Sequence, residues 1–461
     1  MTFDQGSFRD RRGRVFYHQG EVYRTLNPVA QAEWQALEQA KFFTAAVEAG
    51  QVVATRSLPQ EDWPDPAAGS AAVLWHEKIP FVSYPYEWPF SMLRQAGLLQ
   101  LELLQKALKQ GFIMRDASAY NVQWRGVKPT FIDIPSFARL APGEPWEGYR
   151  QFCQHFLNPL LLLARRDVPY APWLRGCLEG ISAEHTRRLL GWKDLLVPGV
   201  FTHVVLHSSL QQSQGARQED LRQEMAEAGF HAELIAKNVE GLHKLLRRLE
   251  WKAASSTWSG YESEHNYSNE DEEKKRQFVR KLATSKRWKL VWDLGCNLGQ
   301  YSLIAAESAD TVVSMDGDPL VIDRLYHRLR DKKVGNVLPL VMDLSDPSPD
   351  QGWRLAERKS LAERGRPELT LCLALMHHLV ISANLPVASV LDWLAELETA
   401  AVIEFVTRED SMVKRLLANR EDQYDDYNVE PFEKALEERF AIVERLELAS
   451  RILYSVAPVS S

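Results

Sequence analysis

The second half of this chain predicts an open, mostly parallel α/β sheet, and the first half a separate α+β unit. Three observations carry that expectation. From Trp288 onward short apolar runs alternate with helical stretches, a pattern of parallel strands joined by helical crossovers. Within that region Val291-Trp-Asp-Leu-Gly-Cys-Asn-Leu-Gly299 reads as a buried strand, a glycine turn and the start of a helix. At 461 residues the chain is also too long for one comfortable core, so two domains and a connector are expected.

Bulk properties narrow the class. Apolar residues at 45% and charged residues at 25% are those of an ordinary globular protein. A formal charge of -7 argues against nucleic acid or an anionic membrane as the partner. Cys153, Cys177, Cys296 and Cys372 form no CxxC pair, so neither a zinc site nor a disulfide framework is indicated. The N-terminus is polar and no apolar run approaches a membrane span, which makes the cytoplasm the expected location.

Taken in order, Arg14 to His18 and Glu21 to Arg24, separated by Gln19-Gly20, read as a hairpin. Pro28 to Glu48 carries apolar residues at helical spacing, including Trp34, Leu37, Phe42 and Val47. Prolines between 59 and 66 and between 80 and 89 break the pattern. Ser91 to Gln110 then reads as an amphipathic helix with Ser91 as its N-cap. Residues 147–210 are mainly helical in pattern. The charged, glutamine-rich stretch from 211 to 252, with Leu242, Leu245 and Leu246, reads as a connector packed on one side. The expected organisation is a first domain at 1–210, a helical connector at 211–254 and a second domain at 255–461.

In the second domain the strand candidates are Leu290 to Trp292, Thr311 to Met315, Val337 to Met342, Leu369 to Ala374 and Ala400 to Phe405. Phe440 to Val443 and Arg451 to Val456 form a candidate closing antiparallel pair. The first strand delivers Asp293 to its carboxyl end. Gly295 and Gly299 carry no Cβ to block a ligand. Asn297 stands where a G-x-G-x-x-G turn has its central glycine, which weighs against a nicotinamide cofactor; Asn still tolerates left-handed backbone. Asp316 follows the second strand, about 20 residues past the turn, the spacing at which an acid meets ribose hydroxyls. Asp318 is the alternative acid. Asp343 closes the third strand.

This D-x-G-x-x-x-G turn, with acids at the next two strand ends, resembles class I S-adenosylmethionine-dependent methyltransferases. The resemblance implies a Rossmann-like seven-stranded sheet. It also implies S-adenosylmethionine held by Asp293, Gly295, Asn297 and Gly299, with Asp316 on the ribose and Asp343 on the adenine amine. Methyl transfer would run directly to an oxygen or nitrogen of a small-molecule or glycan acceptor, driven by proximity and without a metal in that domain. His377 and His378, at the end of the fourth strand, are candidates to orient or deprotonate the acceptor. Neighbours on an extended chain point to opposite faces, so one of them would face the cleft. Glu404, ending the fifth strand, is a similar candidate, with a salt bridge as its structural alternative. Upstream, Trp258, Tyr261, His265 and Tyr267 form either a lid, with Tyr261 on the cofactor, or an interdomain packing plug. Trp258-Ser-Gly-Tyr, Trp292-Asp-Leu-Gly-Cys-Asn-Leu-Gly, Met376-His-His-Leu and Glu404-Phe-Val-Thr-Arg together resemble a bacterial class I methyltransferase family labelled nodulation-protein-like, over about residues 255 to 456.

The first domain has its own pattern. Asp116 with Asn121 after it, then Asp133 closing the run Phe131-Ile, resembles the catalytic and metal loops of protein-kinase-like phosphotransferases. The resemblance implies that Asp116 faces an acceptor hydroxyl while Asn121 and Asp133 hold the metal of Mg-ATP. Ser91 to Gln110 would be the helix leading into that loop, and Phe81 to Glu87 the strand and hinge. Departures are plain. Met114 replaces the usual His, Asp133-Ile-Pro replaces Asp-Phe-Gly, and no glycine-rich phosphate loop is convincing. Arg24 is the nearest counterpart of the strand Lys, with Glu33 as its helix partner; an Arg there still holds phosphates. The domain is therefore expected to be kinase-like, either degenerate or active. An active one would make a bifunctional enzyme that phosphorylates and methylates one acceptor, as paired-domain glycan-capping systems do. A scaffold that binds nucleotide or S-adenosylmethionine without catalysis is the non-enzymatic alternative.

Overall fold

The computed structural model describes residues 2–64, 69–206, 231–252, 269–418, 421 and 423–459. The chain divides into two compact units, Met1–Trp124 with Lys128–Ala253 and Gly352–Glu357, and Arg125–Val127 with Ala254–Gln351 and Arg358–Ser461.

The first unit opens with a five-stranded antiparallel sheet of order β1-β2-β3-β5-β4, formed by β1 (Thr2–Phe3), β2 (Val15–His18), β3 (Glu21–Leu26), β4 (Thr55–Ser57) and β5 (Ala72–His76). The β2–β3 hairpin turns through Gln19 and Gly20, whose φ values of 49° and 83° match the twist of the flanking strands. Pro28 to Glu48 is two helices, α1 (Pro28–Glu38) and α2 (Lys41–Glu48). The apolar stripe slips between Leu37 and Phe42, and the break at Gln39-Ala40 lets Phe42 and Phe43 both face the core. Asn27 caps α1 by accepting from the Ala30 amide at 2.9 Å, with Pro28 at the first helical position.

Two expectations here are corrected. Phe81 to Glu87 forms no strand; only a 3-10 turn at Pro85–Glu87 is present. Prolines at 80, 85 and 89 remove the amides a ladder would need. Ser91 is not the N-cap of the next helix, α3 (Phe90–Leu108). Pro89 takes the extended cap position and Ser91 is buried in the first turn. Beyond α3, β6 (Phe112–Met114) pairs antiparallel with β9 (Phe137–Arg139), while β7 (Val122–Arg125) and β8 (Lys128–Phe131) form a second two-stranded sheet. The loops 115–121 and 132–136 run side by side, tied by Ile132 N to Asn121 O at 2.9 Å and Arg115 N to Ser136 O at 2.8 Å.

Helix α4 (Asn158–Arg166) follows, then α5 (His231–Arg248). The expected connector is thus part of the first unit where it is described. Ile235, Val239, Leu242, Leu246 and Leu249 form one buried face, and α5 packs along α3. Contact there is close: a Cβ on Gly97 would lie 2.9 Å from Leu246 Cδ2 and 3.1 Å from Phe156 Cδ1.

The second unit begins with α6 (Asn269–Ala283) and carries a seven-stranded sheet. Its main elements are, in chain order, β10 (Trp288–Leu294), α7 (Gln300–Ala306), β11 (Ala309–Asp316), α8 (Pro319–Asp331), β12 (Val337–Val341), β13 (Leu369–Cys372), α9 (Val387–Glu396), β14 (Ala400–Val406), α10 (Val429–Glu437), β15 (Phe440–Glu447) and β16 (Arg451–Pro458), with a short helix at Ser411–Leu417 between β14 and α10. The spatial order is β12-β11-β10-β13-β14-β16-β15. Strands β10 to β14 are parallel; β16 runs antiparallel to both β14 and β15. Inner strands β13 and β14 read as nearly continuous buried runs, whereas edge strand β15 alternates buried and accessible residues. Strand order reverses between β10 and β13, the switch point at which such sheets open a crevice at their carboxyl edge.

Candidate functional site

A cavity of about 510 Å³ lies at that edge, within the usual range for small-ligand sites. Every strand from β10 to β13 contributes to it, through Gly295 to Leu298 after β10, Asp316 and Gly317 at β11, Met342 to Ser345 after β12, and Leu373 to Leu375 after β13.

Asp293 lines the cavity from beneath. Ser302 Oγ donates to its Oδ2 at 2.5 Å and is itself hydrogen-bonded by Ser314. Burial pushes the Asp293 carboxyl up to about 6, with the Ser302 bond opposing and the nearby Asp316 charge adding to the rise. The turn that follows is fastened to β11, since the amides of Gly295 and Cys296 both donate to Met315 O, at 2.9 and 3.0 Å. Gly295, Asn297 and Gly299 are left-handed, with φ of 73°, 48° and 72°. Gly295 borders the cavity. Gly299 does not; a Cβ there would fall 2.5 Å from Leu325 Cδ1. The missing Cβ at Gly299 therefore makes room for the Leu325 side chain of α8.

Asp316 closes β11 and accepts from the Asn297 amide at 3.0 Å and from the Asp318 amide at 3.0 Å. Burial raises its pKa. The alternative acid, Asp318, caps α8 by accepting from the amides of Leu320 and Val321, which assigns it a structural duty. Asp343 follows β12, exposed on the cavity rim, and Ser345 donates to its Oδ1 from both amide and hydroxyl.

The histidine pair departs from expectation. Strand β13 ends at Cys372, Ala374 turns left-handed (φ 49°), and the chain enters a helical turn that becomes a π-helix over His378–Ser382. The two rings therefore lie together, centroids 4.0 Å apart, not on opposite faces of a strand. His378 lines the cavity; His377 is fully buried and does not. Burial depresses both, taking His378 down to about 4 with Arg451 adding to the effect.

Glu404 is also off the cavity surface. Its Oε2 accepts from Lys275 Nζ at 2.7 Å and from the Ala374 amide at 2.7 Å, and its Oε1 accepts from Arg451 Nη1 at 3.2 Å. Completely buried and bonded to two cations, it cannot serve as a base toward a substrate. Its cationic partners, Lys275 and Arg451, do line the cavity and were missed from sequence. Lys275 hides in the charged run of α6, and its signal was spacing: it shares a helical face with buried Phe278 and Val279. Trp258, Tyr261, His265 and Tyr267 lie outside the described residues.

In the first unit, Asp116 is exposed, and its pKa is raised by the protein crowded around its carboxyl and by the nearby Asp133 charge. Asn121 Nδ2 donates to Asp116 O at 3.3 Å. Arg24 does not pair with Glu33. It donates to Asp133 Oδ1 at 2.8 Å and to Asp10 at 3.1 Å, while Glu33 pairs with Arg12 and Arg115. Asp133 Oδ2 accepts from Ser136 Oγ. The two oxygens that would hold a metal are thus bonded within the protein, and Arg24 already supplies the positive charge. Among the described residues no group of three or more His, Cys, Asp or Glu is arranged to hold a metal ion.

These features define the second unit as a Rossmann-like α/β domain with a cavity at its switch point, joined in one chain to an α+β unit. No family model matches the chain. It is 36% identical over 465 residues to nodulation protein NoeA of Rhizobium meliloti (strain 1021), an alignment covering 98% of this chain and 95% of that protein. The chain belongs to the NoeA family. Among solved structures, the N-methyltransferase NodS from Bradyrhizobium japonicum WM9 aligns at 15% identity over 42% of this chain and 99% of its own, with a TM-score of 0.32. The bifunctional kinase-methyltransferase WbdD aligns at 16% identity over 44% of this chain and 42% of its own, with a TM-score of 0.30. At such scores neither likeness bears on fold or chemistry, which rest on the sheet order and the cavity. No helix among the described residues is long and apolar enough to cross a membrane.

Proposed function

We propose that the second unit binds S-adenosylmethionine and transfers its methyl group to an oxygen or nitrogen of a small-molecule or glycan acceptor. One observation carries this reading: acids at the ends of two successive strands, Asp316 and Asp343, line the same cavity as the bare backbone of Gly295. Asp316, its carboxylate fixed by two amides, would accept from the ribose hydroxyls. Asp343 would accept from the adenine amine, and Asp293 would face the ammonium of the amino-acid half. Bound S-adenosylmethionine supplies an electrophilic methyl on a sulfonium. His378 would orient the acceptor. Held neutral by burial, its ring accepts a hydrogen bond from an acceptor O–H or N–H rather than repelling the sulfonium. His377 would act only by packing against that ring.

For the first unit, the antiparallel sheet, α3 and the paired loops bearing Asp116, Asn121 and Asp133 support a kinase-like fold. The Arg24–Asp133 ion pair weighs against metal-dependent phosphotransfer. We therefore favour a first unit that recognises the acceptor over one that phosphorylates it. Calorimetry with S-adenosylmethionine tests the main reading. The wild type should bind, and Asp316→Ala should bind about tenfold or more weakly, having lost charge-assisted hydrogen bonds. Absence of binding by the wild type refutes it.

A further inference from the structure

In the first unit the short helix Trp192–Leu195 is built inside out. A surface helix ordinarily turns its apolar face to the core. Here the acid Asp194 is 5% exposed, whereas Trp192 is 70% exposed and Leu196, directly after the helix, 72%. Asp194 fixes this orientation. Its Oδ2 accepts from the Gly191 amide at 2.9 Å and from Arg166 Nη2 at 2.7 Å, and its Oδ1 accepts from Arg165 Nε at 3.2 Å. Both arginines stand in the last turn of α4. Gly191 leaves room for Arg166, because a Cβ there would collide with its Nη2. Leu189 and Phe201 are exposed close by. Leu189 ends the helix Ala183–Leu189, and Phe201 opens a π-helix, Phe201–Leu206, that packs against it. Thr186, Leu190, Val200 and Val204 are buried and supply the inner side. Among the described residues, four of the twelve exposed large apolar side chains thus fall within residues 189–201. Single exposed apolar residues are ordinary, but a cluster marks a contact surface.

Charge decides what this surface meets. Over residues 182–201, together with Arg165 and Arg166, five cations stand against two carboxylates. Arg187, Arg188 and Lys193 are exposed. Glu184 pairs with Arg188 at 2.6 Å, and Lys193 Nζ sits 5.5 Å from the centroid of the Trp192 ring. Aromatic and aliphatic side chains interleaved with cations suit the boundary of an anionic bilayer, where Trp settles at the headgroups and cations meet phosphates. The formal charge of -7 on the whole chain opposes long-range attraction, so the contact is confined to this face. We propose that the first unit docks on anionic lipid through Trp192, Leu196 and Phe201, with Arg187, Arg188 and Lys193 against the headgroups. The contact is peripheral: apolar tips reach the headgroup boundary and no segment crosses. It holds whatever the second unit binds.

Co-sedimentation of the full chain with lipid vesicles tests this. Wild type should pellet with vesicles of equal parts phosphatidylcholine and phosphatidylglycerol, and bind phosphatidylcholine alone about tenfold or more weakly. Trp192→Ser combined with Leu196→Ser should weaken binding to the mixed vesicles by about tenfold or more, with an unchanged thermal melt because both side chains are exposed. Arg187→Gln, Arg188→Gln and Lys193→Gln together should remove the preference for anionic lipid. Wild type left in the supernatant with both vesicle types overturns the proposal. So does a folded Trp192→Ser/Leu196→Ser variant that pellets as wild type does. Self-association of the wild type without vesicle binding, seen by sedimentation velocity and lost in that variant, assigns the surface to a second copy and also overturns it.

Discussion

Folding carries Asp293 from water to a site beneath the β10 turn where its charge is poorly solvated, so its titration should be visible in stability. The ordinary carboxyl value of 3.8 rises to about 6 in the folded state. At ~1.36 kcal/mol for each pKa unit, the folded protein gives up roughly 3 kcal/mol at about pH 7 relative to a chain whose Asp293 stayed unperturbed. The sign follows from proton binding. Between 3.8 and about 6 the native state holds more protons than the unfolded chain, so this contribution to stability is complete below 3.8 and is lost as pH rises through 6. Acidification from about pH 7 to about pH 5 should therefore recover roughly 1.3 kcal/mol from this residue. Asp316 shifts in the same direction. His76, His377 and His378 shift oppositely, each losing stability on acidification. The comparison must accordingly be made against Asp293→Asn, which lacks the ionisation but keeps an oxygen for Ser302. Urea unfolding followed by tryptophan fluorescence at the two pH values supplies the measurement. Wild type should gain on the variant as the solution is acidified; a difference that stays constant, or moves the other way, refutes the reasoning.

Three further outcomes follow from the same structure. Gly299→Ala combines a left-handed φ with a clash against Leu325, so it should lower stability by about 2 kcal/mol, and Leu325→Ala should relieve the clash without curing the backbone strain; thermal melts of the single and double variants check this. Glu404→Gln leaves Lys275 and Arg451 short of negative charge in the interior and should cost about 3–5 kcal/mol, read by urea unfolding, a far larger loss than a surface pair would give. Added Mg-ATP should not raise the melting temperature of the wild type, because Arg24 and Ser136 occupy Asp133; a concentration-dependent rise would return the first unit to the phosphotransferases.

The sheet of the second unit was legible because each inner strand is a continuous apolar run and each turn carries its own punctuation. Asp316 and Asp343 were legible for the same reason, since an acid directly after an apolar run marks a strand's carboxyl end. What misled was local context that only packing decides. His377 and His378 looked like a strand end because nothing in Leu-Met-His-His announces that Ala374 will turn left-handed. The packing of Leu325 against Gly299 was hidden too, because a missing Cβ serves a ligand and a neighbouring helix equally well. Arg24 and Glu33 share the region expected of a strand–helix pair, but Asp133, more than a hundred residues away in sequence, competes for the guanidinium and wins. Lys275 was invisible as a site residue because a run of seven charges, Glu270 to Arg276, ordinarily lies in water.

The close passage of α5 over Gly97 bears on how this protein is made. The first unit draws its interior from both sides of residues 207–230, so it cannot complete its core when residue 210 leaves the ribosome. Until residues up to Leu249 have emerged, the surface of α3 that receives Leu242 and Leu246 stays open to water and to other chains. Domains usually finish folding from the N-terminus as synthesis proceeds; here the first unit must wait until more than half of the polypeptide has been translated. A chain terminated at residue 210 should be sticky, and one terminated just beyond Leu249 should not.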